Sequence, residues 1–412
     1  YAEVYNNMGV ILHKQSKFDE AIEAYNKALL IKPDYAEAYN NLATELLKIG
    51  EVKEAIINWR EAIKFKPNYT LAFINLGGAL HENGDLDSAM NFYKKVINIM
   101  PKHPEAHFNQ SLIYIYNEDF KRGWLKYEWR WKSEGHDSVY LKTARPEWNS
   151  SKTMRVLVWA EQGIGDEIMF SSIIPDLQAQ CSKLIVQADK RLISIFKRSF
   201  SENIDFWPSD KIVPETEYDA HIPIGSLPLQ FRQTIDSFKS TSKGWLSACD
   251  AKASRLRKKL LSEGIETIIG ISWHSTKPRN GAQYKLIPLT QLAEKLDKPT
   301  IKLVNLQYGE INDELDKLSR ETGIKVYQVS EIDNKNDLDG LASLIMACDK
   351  VVSISNVTIH LAGALGKEAH VLLAPSSDWR WGKTPDRSYW YDSVHLHRQT
   401  TINDWMHVLK NL

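Results

Sequence analysis

The sequence predicts an array of paired α-helices followed by an α/β unit that is built on two parallel sheets. Three observations support this fold class. Residues 2–103 repeat with a period of 34, a spacing typical of helical repeat proteins. From Met154 onward, short apolar runs alternate with amphipathic helical segments, as they do in right-handed βαβ units. A basic stretch, Ala251–Gly264, divides the apolar runs into two groups of comparable size.

The repeat consists of small residues, large residues and prolines at fixed positions. Small residues let two helices approach closely, large residues fill the seam between them, and each proline ends the second helix of its unit. The equivalent positions in the three units are Gly9, Ala43 and Gly77; Ala21, Ala55 and Ala89; Tyr25, Trp59 and Tyr93; and Pro33, Pro67 and Pro101. This pattern resembles the tetratricopeptide repeat.

A fourth unit begins at Pro104 and keeps only part of the pattern. Its stretch Gly123–Trp131 is too rich in aromatic residues for a helix face in water. We therefore expect the fourth unit to be a modified terminal repeat that docks against the next domain.

Stacked helix pairs form a superhelix whose concave groove binds extended peptides. Five asparagines on the first helices of the units are expected to line this groove: Asn6, Asn7, Asn40, Asn41 and Asn75. Because a side-chain amide both donates and accepts hydrogen bonds, this ladder predicts contacts with a peptide backbone. The alternative is that the asparagines are polar residues of the helix surface.

Nine short apolar runs are predicted to be strands. Four precede the basic stretch and five follow it, namely Arg155–Trp159, Lys183–Gln187, Ile204–Trp207, Ala220–Ile222, Thr267–Trp273, Ile301–Gln307, Lys325–Gln328, Lys350–Ser353 and Ala369–Leu373. Each group can form a parallel, Rossmann-like half. Two such halves facing each other across a cleft form the architecture called glycosyltransferase B. The predicted boundaries are 1–132 for the repeats, 133–153 for a linker, 154–250 and 251–400 for the two halves, and 401–412 for a terminal helix.

A glycine-rich turn follows the first strand over Glu161–Glu167. The turn has the G-x-G of a dinucleotide fingerprint, but Ile168 replaces the third glycine that close helix packing needs. With Asp189 as a ribose acid, an NAD-dependent enzyme stays an alternative. Asp166 is predicted to be a carboxylate in the cleft that accepts a proton from an acceptor nucleophile, supported by Glu167. The alternative for Asp166 is a helix cap.

Three polar clusters follow strands of the second half, where the strand ends should meet the cleft. Trp273–Arg279, with Lys285, supplies hydroxyls and cations for a diphosphate. Ser353–Gly366 begins a helix of small residues whose N–H groups suit a phosphate. In Asp378–Trp381 the arginine is expected to pair with phosphate and the tryptophans to pack. The predicted nucleotide-sugar contacts are Trp273, Ser275, Thr276, Lys285, Gln307, Asn356, Thr358, His360 and Arg380, and His360 is also a candidate for catalytic support.

Composition limits the partners. Lys and Arg number 52, as do Asp and Glu, so the overall charge does not predict a nucleic-acid partner. No apolar run reaches the ~18 residues that span a bilayer. Cys181, Cys249 and Cys348 lack the spacing of a metal site or a disulfide framework. We expect a cytoplasmic protein with reduced cysteines, no membrane span, no cofactor and no metal.

The motifs together resemble those of bacterial tetratricopeptide proteins whose C-terminal half is similar to the lipopolysaccharide heptosyltransferases. Besides the repeats, the similarity rests on Gly123–Trp131, Trp159–Asp166, His360–Gly366 and Asp378–Trp381. Repeats joined to a glycosyltransferase B half are also similar to the plan of O-GlcNAc transferase and the SPINDLY-type protein glycosyltransferases, although the linear motifs differ.

The heptosyltransferase resemblance implies roles for particular residues. Asp166 corresponds to the acid thought to act as base, Lys285 to the phosphate lysine, and Ser355–His360 to the phosphate turn. The chain departs from the family at this turn, where Ser, Asn and Val stand in place of Asp, Thr and Gly. This departure leaves the donor open and keeps loss of activity as an alternative.

We therefore expect a metal-independent, inverting glycosyltransferase that moves a hexosyl- or heptosyl-type sugar from a nucleotide sugar to an acceptor. The acceptor is expected to be a protein segment recruited by the repeats, and the repeats are also compatible with a homodimer. An inactive tetratricopeptide scaffold and an NAD-dependent enzyme are the alternatives. The sequence leaves open the sugar, the base and the chemical class of the acceptor.

Overall fold

The computed structural model describes residues 1–134, 138–239, 243–275, 286–375, 378–401, 404–410 and 412. Within the first of these ranges, eight α-helices form four consecutive pairs. They are α1 (Ala2–Lys14) and α2 (Phe18–Ile31), α3 (Ala36–Lys48) and α4 (Val52–Phe65), α5 (Thr70–Glu82) and α6 (Leu86–Ile99), and α7 (Pro104–Tyr116) and α8 (Phe120–Tyr127). A 3₁₀-helix, Glu128–Lys132, follows α8.

The seams of the first three pairs confirm the predicted pairing of small and large residues. A Cβ atom on Gly9 would lie 2.5 Å from the Tyr25 ring, and one on Gly77 would lie 2.6 Å from the Tyr93 ring. Only a residue without a side chain allows these helices to approach so closely. The helices α2, α4 and α6 each end two residues before the proline of their unit.

The fourth pair docks on the α/β unit, as its aromatic composition predicts. Phe120, Trp124 and Tyr127 are buried in the same hydrophobic cluster as residues of both sheets. The Trp124 indole also donates a hydrogen bond of 2.8 Å to the carbonyl oxygen of Arg232. The last repeat is therefore part of the α/β core.

The first half of the α/β unit is a four-stranded parallel sheet with the order β3-β2-β1-β4. Its elements are β1 (Arg155–Trp159), α9 (Ile164–Phe170), α10 (Ile174–Gln178), β2 (Lys183–Ala188), α11 (Ile193–Ser199), β3 (Ile204–Pro208), β4 (Ala220–Pro223) and α12 (Leu227–Phe231). Short 3₁₀-helices cover Ser171–Ile173, Ile224–Ser226 and Ile235–Phe238.

The second half is a six-stranded parallel sheet with the order β10-β9-β8-β5-β6-β7. Its elements are α13 (Asp250–Leu260), β5 (Thr267–Ser272), α14 (Leu289–Leu296), β6 (Ile301–Asn305), α15 (Asn312–Thr322), β7 (Val326–Tyr327), α16 (Leu338–Ala347), β8 (Lys350–Ile354), α17 (Val357–Ala364), β9 (Ala369–Leu373), β10 (Val394–Arg398) and α18 (Trp405–Leu409). Counted from β5, this is the strand order of the Rossmann fold, and the first sheet has the first four strands of that order. The two parallel, Rossmann-like sheets predicted from the sequence are confirmed.

All nine predicted strands are present, and the sequence analysis missed the tenth. β10 pairs only with β9 in the described sheet, so it is an edge strand. Val394 and Leu396 are buried and His395 is exposed. β10 therefore shows only a short alternation of apolar and polar residues, without the continuous apolar run that marks the central strands.

The two halves and the terminal helix are packed together. α9 of the first half contacts α17 of the second, and one hydrophobic cluster extends from the docked repeat through both sheets. Trp405, Val408 and Leu409 of α18 pack into a second cluster with α14 on the outer face of the larger sheet. Among the described residues, no helix combines the length and the apolar composition that crossing a membrane requires.

Candidate active site

The strand order locates the candidate site. In an open parallel sheet, ligands bind beyond the carboxyl ends of the strands at the point where the strand order reverses. That point lies between β1 and β4 in the first sheet and between β5 and β8 in the second. The turn before α9 and the turn before α17 follow β1 and β8, so both motifs singled out from the sequence lie at such points.

The first turn presents Asp166 from the start of a helix. α9 begins at Ile164 with Gly163 as its N-cap residue, and no side chain caps it. Asp166 therefore lies inside the first helical turn, and the helix-cap alternative for this residue is wrong. The second glycine of the turn has a packing role, because a Cβ atom on Gly165 would lie 3.1 Å from the His360 ring.

Asp166 forms an ion pair with Arg380 across the two halves. The guanidinium donates from Nε to Oδ1 over 2.7 Å and from Nη2 to Oδ2 over 3.0 Å. The Arg380 guanidinium also lies 4.5 Å from the centre of the Trp379 ring and 3.4 Å from Oδ1 of Asp378. Burial lowers the pKa of Arg380, but the carboxylates of Asp166 and Asp378 outweigh that effect and raise it overall. Arg380 is therefore permanently charged.

His360 is held beside this ion pair in its neutral form. Its Nδ1 lies 2.9 Å from the Tyr391 hydroxyl, and its ring stacks on Trp381 at 5.1 Å. Burial, followed by the charge of Arg380, lowers the pKa of His360 to about 4. The residue lies one turn inside α17, as expected, but it is only 4% exposed, and its ring packs among aromatic side chains.

Glu167, next to Asp166, occupies a different environment. Its Oε2 accepts a hydrogen bond of 2.8 Å from the backbone N–H of Asp189. Burial raises the pKa of Glu167 to about 7. A carboxyl group with such a pKa exchanges protons near neutral pH.

The turn before α17 is built around Asn356. Its Oδ1 accepts from Thr358 N and from Ser353 Oγ, and its Nδ2 donates to Ser272 Oγ and to the carbonyl oxygen of His274. These contacts use all four hydrogen-bonding positions of the amide. Asn356 therefore holds β5, β8 and α17 in place relative to one another. The direct contact with the nucleotide sugar that was predicted for Asn356 is revised to a positioning role.

The side chains of Gln307 and Thr358 also form their hydrogen bonds within the protein. The Gln307 Oε1 accepts from Ser272 Oγ and from the backbone N–H groups of Trp273 and His274. Thr358 is fully buried and its hydroxyl donates to the carbonyl oxygen of Leu306. Both predictions of a direct ligand contact are revised in the same way, because neither side chain faces open space.

Trp273 and Ser275 line a cavity of about 620 Å³ beyond the end of β5. The Trp273 indole donates to Glu314 at the wall of this cavity. Thr276 and Lys285, also predicted to bind the donor, lie outside the described residues. Their contacts therefore stay predictions.

A buried ion pair that was not predicted from the sequence fills the reversal point of the first sheet. The Arg130 guanidinium donates to both oxygens of Glu161, at 2.9 and 2.7 Å. Glu161 Oε1 also accepts from Gly225 N, and Arg130 donates to Ser226 Oγ. Both residues of the pair have fully buried side chains. The signal for this pair in the sequence is Arg130 itself, a charged residue within the aromatic stretch Gly123–Trp131 that is predicted to dock.

The predicted asparagine ladder is present, but its amides bind one another. Asn41 donates to Asn6 and Asn75 donates to Asn40, each at 3.0 Å, and Asn40 donates to Asn41 at 3.3 Å. Asn7 is exposed. The ladder links the first helices of three units, and its contact with a peptide stays a prediction.

No group of three or more His, Cys, Asp or Glu residues within the described ranges has the geometry to hold a metal ion.

Comparison with known proteins identifies the repeats. The tetratricopeptide repeat family models match residues 2–35, 36–69 and 71–103. Protein FlbA of Caulobacter vibrioides is 29% identical over 290 residues, which make up 66% of this chain and 48% of FlbA. The chain thus spans about half the length of this curated relative.

Solved structures are similar to one or other part of the chain. The first repeat domain of Spaghetti (RPAP3), solved with the HSP90 peptide SRMEEVD, is 28% identical, with a TM-score of 0.25 over 26% of this chain and 83% of that one. A family 9 glycosyl transferase from Veillonella parvula DSM 2008 is 12% identical, with a TM-score of 0.46 over 63% of this chain and 89% of that one. The repeat matches and the strand orders together lead to one conclusion: residues 2–103 are tetratricopeptide repeats, and they precede an α/β unit of two Rossmann-like sheets.

Proposed function

We propose that the chain is a glycosyltransferase that moves a sugar from a nucleoside diphosphate sugar to an acceptor, with inversion and without a metal ion. One observation supports this function best. Polar contacts run from Ser355 through Asp378 and Arg380 to Asp166, and so join the candidate phosphate turn of one half to the candidate base of the other. A donor phosphate at the start of α17 and an acceptor at Asp166 would then face the same small volume.

The leaving diphosphate needs positive charge, which this site can supply from the protein. The N-terminus of α17 carries the positive end of the helix dipole, and Arg380 provides a planar pair of donors suited to phosphate oxygens. Such fixed groups stabilise charge as it develops in the transition state. Lys285 is the further cation that the sequence predicts.

The proposed reaction is a single in-line displacement. The acceptor oxygen or nitrogen forms a bond to the anomeric carbon as the bond from that carbon to the donor phosphate oxygen breaks. The bonding electrons leave with the nucleoside diphosphate, and the acceptor proton passes to a carboxylate oxygen of Asp166. Attack from the face opposite the leaving group inverts the anomeric centre.

A protein segment held by the repeats is the proposed acceptor. The repeats contact the loops that carry the site: Glu118 accepts a hydrogen bond of 2.8 Å from Thr384, and a Cβ on Gly84 would lie 3.5 Å from the carbonyl oxygen of Pro375. An acceptor bound to the repeats would therefore be held beside the cleft. Holding it there raises its effective concentration at Asp166.

The test is sugar transfer and donor hydrolysis with a panel of nucleoside diphosphate sugars. We expect Asp166→Asn to lower kcat by roughly 10²- to 10⁴-fold, the usual contribution of a general base. Asp205→Asn, which changes an exposed carboxylate on β3, is the matched control and should leave turnover unchanged. Unchanged turnover in Asp166→Asn would contradict the base assignment. Loss of turnover on chelation, restored by a divalent cation, would contradict the metal-free mechanism.

The inactive scaffold is the second candidate, and the engagement of Asn356, Gln307 and Thr358 within the protein favours it. Calorimetric titration with nucleoside diphosphates separates the two candidates, because a scaffold should bind none of them. The NAD-dependent alternative is disfavoured, since Arg130 and Glu161 fill the place where a pyrophosphate would lie in the first sheet.

A further inference from the structure

We propose that Arg380 is exchanged between Asp166 and the donor diphosphate, so that the base becomes available only when a donor is bound. This inference rests on the proposed glycosyltransferase function and adds a control step to it. Arg380 then has two successive partners, the Asp166 carboxylate before the donor binds and a donor phosphate afterwards.

The geometry of the ion pair is the first argument. Two parallel N–H···O bonds join the guanidinium to both oxygens of Asp166. A guanidinium bound in this way covers the edge from which a carboxylate most readily takes a proton. Asp166 therefore cannot act as a base on that edge until Arg380 leaves it.

The charges around Arg380 are the second argument. Asp378 accepts from the Arg380 backbone N–H and approaches the guanidinium, and its other oxygen accepts from Ser355 in the phosphate turn. A diphosphate at this turn would meet two carboxylates, Asp166 and Asp378, and one guanidinium. Its own negative charge would compete with these carboxylates for the guanidinium, whose planar fork matches phosphate oxygens.

The surroundings allow the guanidinium to change partners without losing its support. The guanidinium carbon lies over the Trp379 ring, 4.5 Å from its centre, and a cation keeps its attraction to the π-electrons while it stays within about 6 Å of that centre. About a quarter of the Arg380 side chain is exposed, compared with a tenth of Asp166. Release of the guanidinium frees both carboxylate oxygens of Asp166 for the acceptor nucleophile.

The exchange predicts that Asp166 competes with the donor for Arg380. Binding of inorganic pyrophosphate and of ADP, GDP, UDP and CDP is measured by calorimetry for the wild type, Asp166→Asn, Arg380→Gln and the double variant. We expect Asp166→Asn to tighten binding of the best probe by about tenfold, a typical coupling for close charge pairs. In the Arg380→Gln background the same substitution should change the affinity by less than about twofold, because the competition no longer exists.

Three results would overturn the exchange. An equal gain from Asp166→Asn in both backgrounds would indicate a general charge effect, and a loss of affinity in Asp166→Asn would indicate that the pair supports the binding site as it stands. In both, the probes still bind, so the proposed function survives. Failure of all probes to bind the folded wild type would overturn both proposals. Thermal unfolding checks that each variant folds. If Arg380→Gln does not fold, Arg380→Lys takes its place, and in that background Asp166→Asn is expected to tighten binding of the best probe by about threefold.

Discussion

Two neighbouring carboxyl groups at the start of α9 have different chemistry because their partners differ. Asp166 meets a guanidinium from the opposite half, whereas Glu167 is buried and accepts a hydrogen bond from one backbone N–H. The sequence places both acids in the first turn of the helix, and the structure gives them separate environments. At this scale the environment decides between a paired carboxylate and one that titrates near neutral pH.

The raised pKa of Glu167 makes the stability of the protein depend on pH. A carboxyl group whose pKa is raised from 4.5 to about 7 on folding holds its proton better in the folded state. The free energy of unfolding therefore falls as the pH rises from about 4.5 through 7. We expect Glu167→Gln to remove this loss and to stabilise the protein by roughly 2 to 3 kcal/mol at pH 8, with little effect at pH 5.

Urea unfolding followed by circular dichroism between pH 5 and 8 measures this difference. Glu202→Gln, which changes an exposed acid, is the control and should shift neither end of the range. A stabilisation by Glu167→Gln that is the same at all pH values would show that titration of this carboxyl group is not its cause.

The helix pairs show how one missing side chain sets the distance between two elements. Gly77 and Gly78 are neighbours on α5, but only Gly77 faces the Tyr93 ring, and nothing lies within 4 Å of a Cβ placed on Gly78. The period of 34 predicts this difference, because only Gly77 aligns with Gly9 and Ala43. At this scale the sequence pattern is sufficient.

Alanine at these two positions should therefore have opposite effects. Gly77→Ala forces the Tyr93 ring away and should destabilise the protein by about 1 to 3 kcal/mol, the usual cost of overpacking a core. Gly78→Ala should stabilise it by about 0.5 to 1 kcal/mol, because alanine loses less backbone entropy in a helix. Chemical unfolding of both variants makes the comparison. Equal effects at the two positions would contradict the packing argument.

The docking of the fourth repeat makes the repeats and the α/β unit one structure. Phe120, Trp124 and Tyr127 belong to the core of the sheets, and Arg130 neutralises Glu161 inside that core. Removing one member of a buried ion pair leaves a charge without its partner, which costs about 3 to 5 kcal/mol. The boundary that matters for stability therefore lies before α7.

Two truncated chains test this conclusion. Residues 104–412 keep the docked repeat and should fold cooperatively, since the truncation removes the interface between the third and fourth repeats and the Gly84 contact with Pro375 but leaves the core of the α/β unit complete. Residues 138–412 lack the aromatic residues of α8 and the partner of Glu161, and should be insoluble or unfold without cooperativity. Solubility and calorimetric unfolding distinguish the two chains. Cooperative unfolding of residues 138–412 would show that the docked repeat is dispensable.

The sequence alone determined the repeats, nine of the ten strands that the described residues form, and the two turns at the candidate site. These features follow from local periodicity, from glycine and proline at fixed positions, and from buried strand composition, all of which act over a few residues. It did not predict the partners of the polar side chains. Asp166 and Arg380 are 214 residues apart, and Arg130 and Glu161 are 31 apart.

Only the tertiary structure decided that Arg380 binds Asp166, and that Asn356 and Gln307 hold turns in place. The physical reason is that a charged or amide group takes whichever partner the packed elements bring within about 3 Å, and spacing along the chain does not record that distance. The glycine-rich turn before α9 could be found from its letters. The contact between Asp166 of that turn and the Arg380 guanidinium of the other half depends on the packing of the two halves against each other.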